Sequence, residues 1–253
     1  YLYGQDGAGL HILNGSRLVL NGLTAYALVN GQMTRLRDLI PSGTNSVSFD
    51  AGFISNYGGP RITNMTPAIT VTPPVSSVDV SFDLPVAPAS FTVADVSITG
   101  PGGAAAVSSI ALVSNTTWRI SFAARTTDGI YTVRIGAAIN ELGSTLQGMD
   151  QDSDGLSGEA SDDVFSATFS IDSTPPTVLG AYALQNGNRV GLTFNEVVDP
   201  AFATNPANFK VNGSAPVQAV QQSDRRLVAL TVSPLVGDTF SLTVSNAADP
   251  LGN

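Results

Sequence analysis

The chain has 253 residues, of which 43% are hydrophobic and 12% charged, with a net charge of −9 and no Cys. A chain with this proportion of hydrophobic to charged residues can bury a core and is not intrinsically disordered. The absence of Cys excludes disulfides and thiolate metal sites. The 11 basic residues form no stripe, which excludes nucleic acid as a partner, and no apolar run reaches the length of a membrane span or marks a signal peptide.

Residues 1–60 have the pattern of β-hairpins. Asn-Gly occurs between apolar runs at 14–15, 21–22 and 30–31. Both residues tolerate the positive φ angles that a two-residue hairpin turn needs. We interpret the segment as a β-meander or as the last rungs of a β-solenoid, with one helical turn at 34–40. Because a segment this short buries little surface, we expect it to dock on the following domain or on sequence before Tyr1.

From residue 61 onward, alternation with a period of two dominates the chain. Apolar side chains occupy every second position of short runs that Gly, Pro, Asn or Asp bound, the pattern of half-buried β-strands. These positions are Val78, Val80 and Phe82; Trp118, Ile120 and Phe122; Tyr131, Val133 and Ile135; Phe165, Ala167, Phe169 and Ile171; Val190, Leu192 and Phe194; Val228, Leu230 and Val232; and Phe240, Leu242 and Val244. The phase of Trp118 predicts a core residue rather than a sugar-stacking surface.

The alternating part of the chain also repeats itself. Residues 82–88 resemble 194–200, and 131–143 (YTVRIGAAINELG) resemble 240–252 (FSLTVSNAADPLG), so the offset drifts from 112 to 109 residues. A period of about 110 residues with about seven short strands predicts tandem β-sandwiches.

We place the first sandwich at 61–174 and the second at 175–253. Pro175 and Pro176 restrict the junction to an extended conformation. In the first copy the repeated segment is followed by another predicted strand at 164–171, and the sequence of the second copy stops before an equivalent. We therefore expect the second sandwich to lack its last strand.

The most acidic part of the chain is the loop at 150–163, where six acids fall in fourteen residues with no base among them. Carboxylates at alternate positions followed by Gly155 match a Ca²⁺ loop of the D-x-D-x-D-G type, in which the glycine turns the chain and the seventh residue offers its carbonyl. The twelfth position is Ser161, so the last ligand must be a different acid. The predicted ligands are Asp150, Asp152, Asp154, the carbonyl of Leu156, and Glu159, Asp162 or Asp163. The alternative is a solvated acidic turn.

Segments of both copies resemble known modules. PVAPASFTVADVSITGPGG, DGIYTVRIGAAINELG and DQDSDGLSGEASDDVFSATFSIDSTPP are similar to bacterial Ig-like modules, and PPTVLGAYALQNGNRVGLTFNEVVDPAFATNPANFKVNG is similar to those of S-layer-type proteins. The resemblance covers roughly residues 61–253 and implies an all-β fold of two tandem Ig-like β-sandwiches after a β-hairpin-rich segment. It also implies a Ca²⁺ loop before the last strand of the first sandwich, and a role as spacer, adhesive stalk or accessory module in large surface or secreted proteins.

Catalytic residues are scarce. His11 is the only His, and with no G-x-S-x-G motif a Ser-His-Asp triad has no support. One His without Cys also makes a catalytic zinc site untenable. We therefore predict that the chain is not an enzyme, although catalysis elsewhere in a parent protein stays open.

Two functions of different classes remain. The first is a structural or adhesive segment of a large bacterial cell-surface or secreted protein, stiffened by Ca²⁺, with flanking domains and copies of itself as partners and with filament formation through the open strand position. The alternative is a carbohydrate-binding accessory region of a multidomain exoenzyme that binds surface glycans. For that alternative, the first candidates are the N-terminal aromatics Tyr1, Tyr3, Tyr26 and Tyr57.

Overall fold

The computed structural model describes residues 9–14, 16–20, 23–41, 46–56, 58–143, 148–154, 156–183, 187–237 and 239–253. These ranges are built from β-strands, short 3-10 turns and one four-residue α-helix, so the predicted all-β class is confirmed. Two compact units are present, one formed by 1–70 with 74–170 and the other by 71–73 with 171–253. Within the described ranges, no helix is long and apolar enough to cross a membrane.

The described part of the N-terminal segment contains five short strands: β1 (Arg17–Val19), β2 (Tyr26–Val29), β3 (Gln32–Arg35), β4 (Ser46–Phe49) and β5 (Gly52–Ser55). The predicted turn at 30–31 is confirmed, because Asn30 and Gly31 have φ angles of 48° and 75° and join β2 to β3. Residues 10–13, which alternate like a strand, form none, so the hairpin predicted around 14–15 is absent on that side. Gly15 and the turn at 21–22 lie outside the described residues.

The same segment has its own core. β1 pairs with β5 in parallel, an arrangement that consecutive hairpins do not produce, and β5 pairs with β4 in antiparallel. A 3-10 turn at Leu36–Leu39 fulfils the predicted helical turn and buries Leu36. The buried residues of this core are Ile12, Leu20, Ala27, Leu36, Ile40 and Ile54. The segment lies in the same compact unit as the first sandwich, and its predicted limit at residue 60 stays a prediction.

The first sandwich packs a four-stranded sheet, in the order β11-β12-β8-β6, against a five-stranded sheet, in the order β10-β9-β13-β14-β7. Its strands are β6 (Ile62–Thr66), β7 (Thr70–Val71), β8 (Val75–Phe82), β9 (Val96–Gly100), β10 (Gly103–Ala105), β11 (Val107–Leu112), β12 (Thr117–Arg125), β13 (Gly129–Ile135) and β14 (Phe165–Ile171), with 3-10 turns at Pro88–Ser90 and Val93–Asp95. Trp118 is 4% exposed and meets the Phe91 ring edge-on at 5.5 Å, which confirms it as a core residue.

The second sandwich has a four-stranded sheet, in the order β15-β16-β19-β18, and a two-stranded sheet that pairs β17 with β20. Its elements are β15 (Val178–Ala183), β16 (Arg189–Phe194), α1 (Pro200–Ala203), a 3-10 turn at Pro206–Asn208, β17 (Phe209–Val211), β18 (Gln218–Gln221), β19 (Leu227–Thr231) and β20 (Leu242–Val244). Asp199 caps α1 by accepting hydrogen bonds from the backbone N–H groups of Ala201 and Phe202. This cap holds Phe202 against Phe194 and Phe209 in the core.

Candidate metal centre

Three of the predicted calcium ligands come together in the acidic loop. Carboxylate oxygens of Asp150, Asp152 and Asp163 all lie within 4.8 Å of one another. Asp150 and Asp163 are fully buried, while Asp152 is exposed. In a loop counted from Asp150, these are positions one, three and fourteen. The group therefore combines two residues that the D-x-D spacing singles out with one of the three later acids.

The Asp163 carboxylate closes the acidic loop by accepting hydrogen bonds from two backbone N–H groups of the loop. One carboxylate oxygen accepts a hydrogen bond from the Gln151 N–H at 2.6 Å, and the other accepts one from the Glu159 N–H at 2.9 Å. Because one carboxylate binds residues on both sides of the turn, it fixes the two ends of the loop to each other. Its burial and its position beside Asp150 follow from these bonds.

The other predicted ligands lie outside this group of three. Asp154 accepts a hydrogen bond from the Leu156 N–H at 2.7 Å, and Asp152 accepts one from the Asp154 N–H at 3.2 Å, so consecutive Asx turns shape the chain here. The Leu156 side chain is exposed, and Glu159 and Asp162 are absent from the three-carboxylate group. The predicted turn residue Gly155 lies outside the described residues.

Electrostatic repulsion within the loop is strong. Two carboxylates within 4.8 Å of each other repel by ~3 kcal/mol or more at an effective dielectric constant of about 20. Glu159 is affected by the same negative charges. Its pKa is raised by loss of solvation and by the charges of Asp154, Asp162, Asp163 and Asp152. A cation among these oxygens would reverse the sign of this local energy.

The loop is also bonded to the start of the first sandwich. The Asp150 carboxylate accepts a hydrogen bond from the Gly58 N–H at 2.8 Å, and the Asp150 N–H donates to the Pro60 carbonyl at 3.2 Å. The Gln151 side chain accepts from the Ile62 N–H at 2.9 Å and donates to the Ile62 carbonyl at 3.1 Å. Gly59 packs so closely on the Gly148 backbone that no Cβ fits between them. The candidate ligands are therefore attached to the chain that joins the N-terminal segment to the sandwich.

A second carboxylate group, which the local sequence pattern does not reveal, lies in the compact unit that contains residues 171–253. Asp172, Glu196 and Asp249 bring carboxylate oxygens within 4.8 Å of one another. Asp249 is buried and accepts hydrogen bonds from the N–H groups of Leu251 and Asn253, each at 2.9 Å. The Asn253 amide also donates to the Asp172 carbonyl at 2.9 Å. The pKa of Glu196 is raised, first by burial and then by the charges of Asp172 and Asp249.

Comparisons with known proteins find only distant similarity. No family model matches the chain, and no curated protein matches it. Domains 1–6 of the surface layer protein SbsC share 14% identity over 74% of this chain and 32% of that one, with a TM-score of 0.31. The Escherichia coli adhesin FdeC shares 12% identity over 88% of this chain and 69% of that one, with a TM-score of 0.30. The chain thus spans about a third of the SbsC structure.

Proposed function

We propose that the chain is a non-catalytic structural and adhesive segment of a large bacterial cell-surface or secreted protein, stiffened by Ca²⁺ and working beside flanking domains. The observation that carries this proposal is the group of Asp150, Asp152 and Asp163, which is bonded to residues 58–62. A cation held there fixes the acidic loop and, through it, the start of the first sandwich. Stiffness at such a junction suits a segment that spans distance or bears load.

The residues fit a hard cation. The side-chain donors are all carboxylate oxygens, with no nitrogen or sulfur, which is the set that Ca²⁺ prefers. Asp150, Asp152 and Asp163 would hold the ion, and Asp154 and the Leu156 carbonyl are the next candidates along the loop. The bound ion would supply positive charge that cancels the repulsion and allows two carboxylates to remain buried.

Thermal unfolding of the full chain in Ca²⁺ and in chelator tests this role. Binding to the folded state alone adds about 2.7 kcal/mol at a hundredfold excess over the dissociation constant. We expect a higher melting temperature with Ca²⁺, and we expect Asp152→Ala combined with Asp154→Ala to remove the difference. Asp224→Ala is the matched control, because Asp224 also closes an Asx turn, with the Arg226 N–H at 3.1 Å. Identical melting of the wild type in both buffers would contradict the proposal.

We further propose that copies of the chain assemble through a strand edge of the second sandwich. Among the described residues, β20 pairs with β17 alone, so its other edge presents unpaired backbone groups. A strand from a second copy adds to this edge and extends the sheet, as in β-strand addition, and repetition of such a contact builds a filament. Light scattering over a range of concentrations should show a mass that rises above the monomer. A monomer at every concentration excludes assembly through this edge.

A further inference from the structure

The N-terminal segment contains a cleft that neither the metal group nor the strand edge explains. It has a volume of about 360 Å³ and lies where three pieces of chain meet: residues 10–11, the end of β2 with its turn, and the end of β4 with its turn. Its polar lining consists of His11, Asn30, Ser48 and Asp50, and its apolar lining includes Leu28 and Phe49. The volume is at the small end of the range for ligand clefts, about 300–1,000 Å³.

Two of the polar residues are fixed by unusual backbone. Asn30 and Asp50 have φ angles of 48° and 54°, the left-handed region that Asn and Asp tolerate better than other side-chain-bearing residues. One oxygen of Asp50 accepts a hydrogen bond from the Ile12 N–H at 3.2 Å and lies 3.1 Å from Nδ1 of His11. Short side chains on tight turns lose little conformational entropy when they bind a ligand. The cleft is therefore largely pre-organised.

Several hydrogen-bonding groups of this lining have no protein partner among the described residues. They are the amide of Asn30, the hydroxyl of Ser48, the second carboxylate oxygen of Asp50 and Nε2 of His11. In a neutral imidazole whose Nδ1 donates to Asp50, Nε2 is an acceptor. The set thus offers both donors and acceptors beside aliphatic and aromatic carbon. A ligand that fits must carry several hydroxyl-like groups and an apolar face.

This combination identifies the ligand class. The described residues that line the cleft include no Arg or Lys, which disfavours phosphate and carboxylate ligands, and one carboxylate with one imidazole is a poor set for Ca²⁺. We infer that the cleft binds a neutral sugar residue of a glycan, with hydroxyl groups on Asp50, Asn30 and Ser48 and with carbon–hydrogen faces on Phe49 and Leu28. This inference rests on the adhesive role proposed above and names the chemistry of its partner.

Nuclear magnetic resonance titration of the full chain, with Ca²⁺ held constant, tests the inference. The probes are D-glucose, D-galactose, D-mannose, L-fucose, N-acetylglucosamine and N-acetylgalactosamine, with inorganic phosphate as the anionic probe. We expect at least one sugar to shift the backbone amides of residues 10–11, 30 and 48–50 saturably below about 50 mM. Asn30→Gly should weaken the binding of that sugar about tenfold. The substitution removes the side-chain amide, and glycine adopts the left-handed backbone conformation without strain. Asp50→Asn should also weaken it.

Asn246→Gly is the matched control, because Asn246 has a φ angle of 57° in the other unit. It should leave sugar affinity unchanged. The inference is overturned if no sugar gives saturable shifts at these amides, if phosphate does so instead, or if Asn30→Gly and Asp50→Asn bind as tightly as the wild type. Stabilisation by Ca²⁺ is measured by thermal unfolding and sugar binding by titration. Failure of the proposed Ca²⁺ role and failure of the sugar site can therefore be distinguished.

Discussion

The two sandwiches repeat one sequence pattern but bury it to different extents. In the first, β13 lies between β9 and β14, and Tyr131, Val133 and Ile135 are at most 1% exposed. In the second, the equivalent strand β20 pairs with β17 alone among the described residues, and the matching Phe240, Leu242 and Val244 are only half-buried. The same alternation is therefore fully buried on β13 and only half-buried at the matching positions of the second copy.

The strand β14 accounts for this difference. Its Phe169 stacks on Tyr131 with ring centroids 5.1 Å apart. The first strands of the two copies differ in the same direction, since β6 buries Ile62 and Met65 whereas every residue of β15 is exposed. Burial in a sandwich thus depends on the neighbouring strand and on the opposite sheet, and a repeat in sequence does not guarantee equal stability.

The largest expected effect comes from truncating the matched aromatics. Tyr131→Ala should lower the free energy of unfolding by about 3–5 kcal/mol, because it empties a closed core and removes the hydrogen bond from its hydroxyl to the Thr127 carbonyl. Phe240→Ala should cost less than half as much, since its side chain is only partly buried. Denaturant unfolding of the full chain, with hydrogen exchange to assign the transition to each unit, measures both. Equal costs would show that β14 is not the cause of the difference.

One glycine from each sandwich gives a second test of the difference in burial between the two copies. A methyl group on Gly100 would overlap the Tyr131 ring, and one on Gly191 would overlap the Tyr182 ring. Tyr131 is fixed by Phe169 and buried, whereas Tyr182 is 49% exposed and can turn toward solvent. We expect Gly100→Ala to destabilise the protein by about 1–3 kcal/mol and Gly191→Ala to be nearly neutral. A large loss in Gly191→Ala would mean that the Tyr182 ring is held in place.

How far the sequence predicts this molecule depends on the range of the interactions involved. Alternation and turn residues are local, so they reveal β8, β12 and the buried Trp118. The D-x-D spacing singles out Asp150 and Asp152, which do lie close together, but it cannot show that Asp163 rather than Glu159 or Asp162 joins them, because backbone bonds across the loop decide that. Their role as metal ligands stays a prediction.

Long-range pairing is what the sequence does not show. The parallel contact of β1 with β5 joins strands separated by more than thirty residues. Residues 10–13 alternate like a strand, yet the Leu10 N–H bonds to the Leu28 carbonyl and the Ile12 N–H bonds to the Asp50 side chain. The carboxylate group of Asp172, Glu196 and Asp249 comes from three separate stretches of chain, so no spacing could have indicated it.

The pH dependence of the second unit should come in part from Glu196. Its pKa is raised in the folded state by burial and by Asp172 and Asp249. The folded unit therefore binds that proton more tightly than the unfolded chain, and this contribution to stability is lost as pH rises through the folded pKa. Glu196→Gln should stabilise the second unit at neutral pH and flatten its pH dependence. Asp224→Asn, a charge change elsewhere in that unit, should leave the dependence intact, and an unchanged pH profile in Glu196→Gln would exclude this role.

The smallest expected effect lies on the outer face of the first sandwich. Asp79 on β8 lies opposite Arg119 on β12, and two hydrogen bonds of 2.8 Å join the guanidinium to both carboxylate oxygens. The pair lowers the pKa of Asp79, so its contribution is present above the unfolded pKa and is lost as pH falls through the folded pKa. Because the pair is partly exposed, a double-mutant cycle with Asp79→Asn and Arg119→Gln should give a small coupling energy that decreases as the salt concentration rises. A coupling that salt does not weaken would show that packing of the Arg119 side chain, rather than its charge, joins these two strands.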